Sequence, residues 1–359
     1  MKTLHHLFSN KERNEVANWP LVGLNRHPTW YPLLATIKER RTIDQFVHEA
    51  VDIIDQEPDG DAWLKEQRPR LLDSSDASGA SAALAEIRAY GSFLRARLTV
   101  TPIPRETGVE GVSTPDFTIN AGDGPVIVEV FAKHQDKQQD ELLAAIGALT
   151  APATTVTELT PAGRPNPNKP GDSNIANLAS RACSMKAQEL QIPADRPTIL
   201  LADFTHFGPP AVAKHVDGRL TVPLESGQQR VWSGGLWYGF YGWHGAPIFD
   251  PTLHHAPTRA LAAPAVQMGH DGRFRLSGSK KTRFSAVLAV FDEEAVLLEN
   301  PWAKHKLPDL ARLALCRYPW FNVSRSIGDW YPGHAEQLVT LQRSMIEAFE
   351  ANASIDPDD

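Results

Sequence analysis

Residues 197–207, PTILLADFTHF, constrain the fold more than any other stretch of this chain. The apolar residues from Ile199 to Ala202 follow one another without the alternation of a half-exposed strand. A short continuous apolar run is typical of a strand buried on both faces, which needs a sheet with packed layers on either side. The preceding stretch, residues 174–191, has apolar residues at helical spacing and predicts a helix before this strand. The chain is therefore expected to belong to the α/β class.

The region before that helix predicts a helix followed by three strands. Residues 81–100 have helical apolar spacing, with Gly91 as a weak point, and run into a first strand. Residues 113–134 contain two β-rich runs around Asn120 to Gly124, a cluster that tolerates positive φ and closes a hairpin. Residues 136–149 are helix-like. The predicted element order is α-β-β-β-α-β in a mixed sheet flanked by helices.

The remaining sequence predicts additions at both ends of this core. A length of 359 residues corresponds to about two domains. Helices are predicted over 36–55 and 61–72, a linker over 74–82, a strand pair over 284–291 and 295–301, and a final helix over 334–351. The predicted division is an N-terminal helical appendage (1–75), an α/β core (76–215), a C-terminal extension of strands and a helix (216–345) and an acidic tail (346–359).

Charge and cysteine content exclude several classes of protein. The chain has 36 Lys and Arg against 43 Asp and Glu, a net charge of −7, which excludes nucleic-acid binding through an overall basic surface but allows a local basic groove. Cys183 and Cys316 fit no metal-ligand spacing and no secreted disulfide framework, so a reducing cytoplasm is expected. The sequence shows neither a signal peptide nor an apolar run of membrane-spanning length, so no membrane partner is expected.

Three acidic residues are placed where they could act together. Glu86 lies in the predicted first helix, Asp116 at the start of the second strand, and Glu129 inside the third, within VIVEVF. An ionised, unpartnered glutamate buried in such a strand would cost several kcal/mol, so Glu129 needs a partner, a metal or a solvent cleft. Mg²⁺ prefers oxygen ligands, and one or two carboxylates suffice when water and phosphate complete its coordination.

Residues 80–205 contain a helix with Glu86, then Pro115-Asp116, then Glu129 on the next strand. In this order they resemble the PD-(D/E)XK nuclease superfamily. The resemblance implies a restriction-endonuclease-like core and a metal-dependent nuclease that cleaves phosphodiester bonds. It implies Mg²⁺ or Mn²⁺ bound by Asp116 and Glu129, Glu86 as an auxiliary ligand or base, and nucleic acid, with DNA expected, as the partner. A homodimer is left open. The superfamily's lysine stands two residues after the second acid, where this chain has Phe131.

Two lysines are candidates for the displaced position. Lys133, four residues after Glu129, lies on the same strand face about 7 Å further along. Lys186, on the following helix, would project toward the sheet if that helix packs over the hairpin. Either ammonium could stabilise developing negative charge or orient the attacking water. The resemblance thus gives Glu86, Asp116, Glu129 and Lys133 as catalytic residues, with Lys186 as the alternative.

The sequence also permits a non-catalytic reading of the same fold. Phe131 would then mark a lost lysine, and the protein would be a nucleic-acid or protein interaction module. Its basic contacts would be Arg181, Lys186, Lys280, Lys281 and Arg283. The stretch from Trp232 to Trp243, rich in tryptophan, tyrosine and glycine, is read either as a base-stacking platform or, by default, as a core strand pair.

Overall fold

The protein is described by a computed structural model. It describes residues 2–21, 26–36, 38–104, 114–132, 179–180, 182–186, 189, 192–205, 220–224, 227–232, 234–248 and 266–353.

The described residues form helices and strands in the following order. The α-helices are α1 (Asn10–Ala17), α2 (Trp30–Leu34), α3 (Thr42–Asp55), α4 (Gly60–Leu71), α5 (Ala77–Arg95), α6 (Gly235–Tyr241), α7 (Asp309–Leu315) and α8 (His334–Ala353). The strands are β1 (Thr99–Pro102), β2 (Phe117–Asn120), β3 (Pro125–Ala132), β4 (Thr198–Asp203), β5 (Leu220–Leu224), β6 (Gly227–Val231), β7 (Pro247–Ile248), β8 (Val266–Gln267), β9 (Ala286–Val290) and β10 (Ala295–Glu299). Within the described ranges, no helix is both long and apolar enough for a membrane span.

A mixed sheet of six strands, in the order β1-β2-β3-β4-β9-β10, organises the molecule. The pairs β1/β2, β2/β3 and β9/β10 are antiparallel, whereas β3, β4 and β9 run parallel to one another. All six residues of β4 are buried, which confirms the prediction of a strand covered on both faces. The expected α/β class with a mixed sheet flanked by helices is therefore confirmed. The strand pair predicted near the C-terminus, β9 and β10, adds to this same sheet.

The sheet separates two apolar layers. Val128 and Leu201 project to the first face and pack with α3, α4, α5 and α7; we call it the α5 face. Leu200 and Ala202 project to the second face and pack with α6 and α8; we call it the α6 face. Because side chains alternate along a strand, each position of β3 and β4 is assigned to one of these layers.

The helix and hairpin signals in the core region are confirmed, whereas the linker predicted over 74–82 is wrong beyond Asp76, because α5 occupies its second part. Helix α5 begins at Ala77, where Asp76 Oδ1 accepts a hydrogen bond from the Gly79 amide at 2.8 Å. The helix continues through Gly91. A Cβ at this position would lie 2.5 Å from Ala50 Cβ of α3, so the glycine permits close packing of the two helices. Residues 121–124 join β2 and β3 as predicted, with Gly122 and Gly124 at φ 108° and 132°.

The prediction of a strand pair in the aromatic stretch is wrong. Residues 235–241 form the buried helix α6, with Trp237 and Tyr241 almost fully enclosed. The glycines there serve helix packing, because a Cβ at Gly239 would meet Ala182 Cβ at 2.5 Å. Helix α3 begins at Thr42, later than predicted, whereas α4 and α8 closely match their predicted ranges. The helix predicted over 136–149 lies outside the described residues.

Candidate active site

Glu129 lies in the middle strand of the site, on the α6 face of the sheet. It belongs to β3, between the antiparallel neighbour β2 and the parallel neighbour β4, where it pairs with Leu200. Its side chain alternates with the apolar Val128 and Val130 of the α5 face, and the residue is 3% exposed. The sequence argument that this carboxylate requires a partner is confirmed, because Lys186 Nζ lies 2.6 Å from Glu129 Oε1.

Asp116 lies against the backbone on either side of Glu129. Its amide donates to the carbonyl of Val128 at 3.1 Å, and its Oδ2 accepts a hydrogen bond from the Val130 amide at 2.8 Å. Asp116, which directly precedes β2, is thus held by the β2–β3 pairing against the backbone that flanks Glu129. The hydrogen bond to Val130 fixes the orientation of the Asp116 carboxylate, which is half-buried.

Lys186 reaches this place from a different segment of the chain. The prediction that Lys186 lies on the helix is wrong: residues 182–184 are helical, and Lys186 follows them in a turn with φ 50°, the left-handed region that few side chains adopt. Its side chain is 33% exposed, so the ammonium that binds Glu129 also reaches the solvent. Of the two candidate lysines, Lys186 is therefore the one observed at Glu129; Lys133 lies outside the described residues, as does Arg181.

Phe131 occupies the position where the superfamily resemblance places a lysine. Its ring projects to the α6 face two residues after Glu129, and Lys186 Nζ lies 5.9 Å from the ring centroid. A cation at this distance from an aromatic face is weakly attracted to it. The phenyl ring of Phe131 therefore lies beside the ammonium of Lys186.

Glu86 lies in a different environment. It is 5% exposed in α5, and Arg70 of α4 donates a hydrogen bond to its Oε2 at 2.8 Å. Helix α5 covers the face of the sheet opposite to the one on which Glu129 projects. The structure thus gives Glu86 an arginine partner in the helical layer, and its expected role as auxiliary ligand or base stays a prediction.

The turn that carries Lys186 is held by Arg273, a residue that the sequence analysis did not single out. The Arg273 guanidinium donates hydrogen bonds to the carbonyls of Cys183 at 2.9 Å, of Met185, and of Lys186 at 2.8 Å, and it pairs with Glu189. Burial raises the pKa of the neighbouring Cys183 thiol, which favours its neutral form. No local sequence signal marks Arg273, because the turn carbonyls and the Glu189 carboxylate that it binds lie more than 80 residues away.

The donor chemistry fits a hard divalent cation. Asp116, just before β2, and Glu129 of β3 carry carboxylate oxygens, and Mg²⁺ sites use one or two protein carboxylates with water and phosphate as the other ligands. Within the described ranges, no group of three or more His, Cys, Asp or Glu side chains gathers as a metal site. Asp116 and Glu129 are thus the two carboxylates here whose chemistry suits such a cation, and Glu129 also binds Lys186.

Comparison with known protein families, curated proteins and solved structures finds no match to this chain.

Proposed function

We propose that the protein is a nuclease that uses Mg²⁺ or Mn²⁺ to hydrolyse phosphodiester bonds of nucleic acid. The observation that carries this proposal is the ion pair between Lys186 and Glu129 beside Asp116. Two carboxylates and one partly exposed ammonium are the groups that this hydrolysis needs, and they come together although Phe131 replaces the expected lysine. The helix α5, the strands β1, β2 and β3, the helical residues 182–184 and β4 follow the order of a restriction-endonuclease-like core, which supports the same proposal.

In this proposal each group has a chemical role. Asp116 and Glu129 would hold the cation, which when bound polarises the scissile phosphate and supports the leaving oxygen. Lys186 would stabilise the developing negative charge or orient the attacking water. Its partial exposure matters here, because an ammonium enclosed by protein could not approach a phosphate.

A basic segment next to the turn supports nucleic acid as the substrate class. Residues 270–283 contain five Lys or Arg and one Asp, in a chain whose net charge is −7, and three of these cations, Lys280, Lys281 and Arg283, are exposed. Arg273 joins this segment to the Lys186 turn, while Lys280 and Lys281 are exposed at its other end. Phosphate backbones bind lysine and arginine side chains through charge, and this binding weakens with salt. A local basic surface of this kind is compatible with the acidic overall balance.

The test is metal binding and cleavage on the same preparations. Mg²⁺ and Mn²⁺ are titrated calorimetrically into wild type and Asp116→Ala, and supercoiled plasmid, single-stranded DNA and RNA are offered as substrates. We expect Asp116→Ala to lose both metal binding and cleavage. We also expect Lys186→Met to retain metal binding while its cleavage rate falls about 10²- to 10³-fold, the usual cost of losing one group that stabilises transition-state charge.

Asp123→Ala is the matched control, because Asp123 lies in the turn at the other end of the same hairpin, where its Oδ2 accepts a hydrogen bond from the Leu310 amide. This variant should bind metal and cleave like wild type. Full cleavage by Asp116→Ala, or no metal-dependent cleavage of any substrate by wild type, would remove the proposal.

A second candidate is a non-catalytic interaction module on the same fold. It is favoured by the same ion pair, because Lys186 by itself supplies the countercharge that buried Glu129 requires. This candidate predicts no turnover, and nucleic-acid binding that is insensitive to Asp116→Ala but weakens steeply with salt. Binding that is independent of salt would indicate a protein partner instead.

A further inference from the structure

We propose that Arg273 is a positioning residue that fixes the ammonium of Lys186 beside Glu129. This inference rests on the proposed nuclease function, in which Lys186 acts on the phosphate. Arg273 does not touch the reacting atoms in this scheme. It acts through the backbone of the turn that carries the lysine.

The guanidinium of Arg273 binds the end of the short helical segment. Its two terminal nitrogens donate to the carbonyls of Cys183, Met185 and Lys186, and the residue is only 3% exposed. Carbonyls at the end of a helix have no partners within the helix, so a buried end requires donors from elsewhere. The planar fork of arginine supplies several donors in a fixed geometry, which a lysine cannot do.

The backbone of Lys186 makes this clamp necessary. With φ at 50°, Lys186 adopts a conformation that costs a residue with a side chain about 1 kcal/mol or more unless its surroundings hold it there. Arg273 Nη2 contacts the carbonyl of Lys186 itself at 2.8 Å. The contact therefore acts at the residue whose side chain must reach Glu129. Release of the carbonyl would let the turn relax and move the ammonium.

A second set of contacts fixes Arg273 in turn. Glu189 Oε1 accepts from Arg273 and from the Thr282 hydroxyl at 2.5 Å, and Glu189 Oε2 accepts from the Arg283 amide at 2.7 Å. The Arg273 guanidinium also lies 5.3 Å from the Phe284 ring centroid. Glu189 thus joins Arg273 to Thr282 and Arg283, near the other end of segment 270–283. Glu189 also balances the charge of Arg273, so Arg273 does not depend on Glu129 for a counterion.

The test compares Arg273→Lys with Arg312→Lys. Arg312 is a matched control, since it is 4% exposed, binds Glu299, Asp309 and the Leu307 carbonyl, and belongs to α7 on the opposite face of the sheet. Both variants keep the charge and lose the fork. Two quantities are measured: kcat and KM for metal-dependent cleavage, and the rate at which an amine-reactive reagent labels Lys186, followed by mass spectrometry with Lys280 as the internal reference.

We expect Arg273→Lys to lower kcat about 10- to 100-fold with KM nearly unchanged, because small misplacements of a reacting group are costly. Labelling of Lys186 should rise several-fold relative to Lys280. Arg312→Lys should lower stability without changing kcat or the labelling of Lys186 relative to Lys280. If Arg273→Lys does not fold, Thr282→Val removes one anchor of Glu189 and should shift both quantities in the same direction.

The outcomes separate this inference from the proposed function. Unchanged labelling of Lys186 with wild-type kcat, in a variant that is merely less stable, would overturn the positioning role. Wild type without cleavage but with increased Lys186 labelling in Arg273→Lys would remove the nuclease proposal, while the clamp on Lys186 would stand as a fact about the fold.

Discussion

Each face of the central sheet buries a glutamate beside a cation, and the two pairs differ in their access to water. On the α5 face, Glu299 of β10 pairs with Arg312, and the two side chains are 2% and 5% exposed. On the α6 face, Glu129 of β3 is equally buried, but its partner Lys186 is 33% exposed. An enclosed pair can only hold elements together, because no ligand reaches either charge. A pair that opens to solvent on its cationic side can interact with an added anion.

Loss of the enclosed cation should have the largest effect on stability. Arg312→Leu leaves Glu299 buried without its guanidinium, and breaking such a pair from one side costs about 3–5 kcal/mol. Burial already raises the pKa of the Glu299 carboxyl, so protonation at pH 5 should relieve part of the loss. The measurement is urea unfolding of wild type and variant at pH 7.5 and 5. A loss below about 1 kcal/mol at pH 7.5 would mean that water reaches Glu299 and that the pair on the α5 face is not enclosed.

A second buried group, His48, makes the stability of the protein depend on pH. The Leu4 amide donates a hydrogen bond to Nδ1 of His48 in α3, at 3.2 Å. Because Nδ1 accepts, the proton of the neutral ring is on Nε2, which donates to the Pro32 carbonyl at 2.7 Å. Burial lowers the pKa of His48 to about 4. The unfolded chain therefore binds the proton more readily than the folded one between about pH 6.5 and pH 4.

The stability that His48 contributes is present above about pH 6.5 and is lost as the pH falls toward 4, up to about 3 kcal/mol. Urea unfolding across this range should show the slope, and His48→Gln should flatten it, because an amide can accept and donate at the same two places without titrating. A slope that persists unchanged in His48→Gln would assign the acid sensitivity to other groups.

The part of the site made by local sequence could be predicted. The Asn120 to Gly124 turn sets the register of β2 and β3, and this register brings Asp116 to the backbone around Glu129. The requirement that Glu129 has a partner follows from the desolvation of a carboxylate in an apolar strand. Turn chemistry, side-chain alternation and burial cost act over a few residues, so a single sequence shows them.

The rest depends on contacts between distant segments. Gly239 lies in a stretch whose composition indicates a strand pair, whereas the glycine is required by the approach of Ala182 to α6. Arg273 holds a turn that is 87 residues away in the chain. Lys186 is one of two candidate lysines in the sequence, but the choice between them required the fold of the turn that carries it. Packing between segments, which has no periodic signature, decided each of these points.

The smallest effect should come from the open pair itself. Glu129→Gln keeps the size of the side chain, and the released Lys186, already one-third exposed, can turn its ammonium into water. We expect a loss of about 1 kcal/mol or less, as for partly exposed ion pairs. Glu299→Gln, the matched change on the α5 face, should cost at least about twice as much because Arg312 cannot reach water. Urea unfolding of the two variants measures the difference. Equal losses would mean that solvent access does not distinguish the pairs, and Lys186 would then be as structural as Arg312.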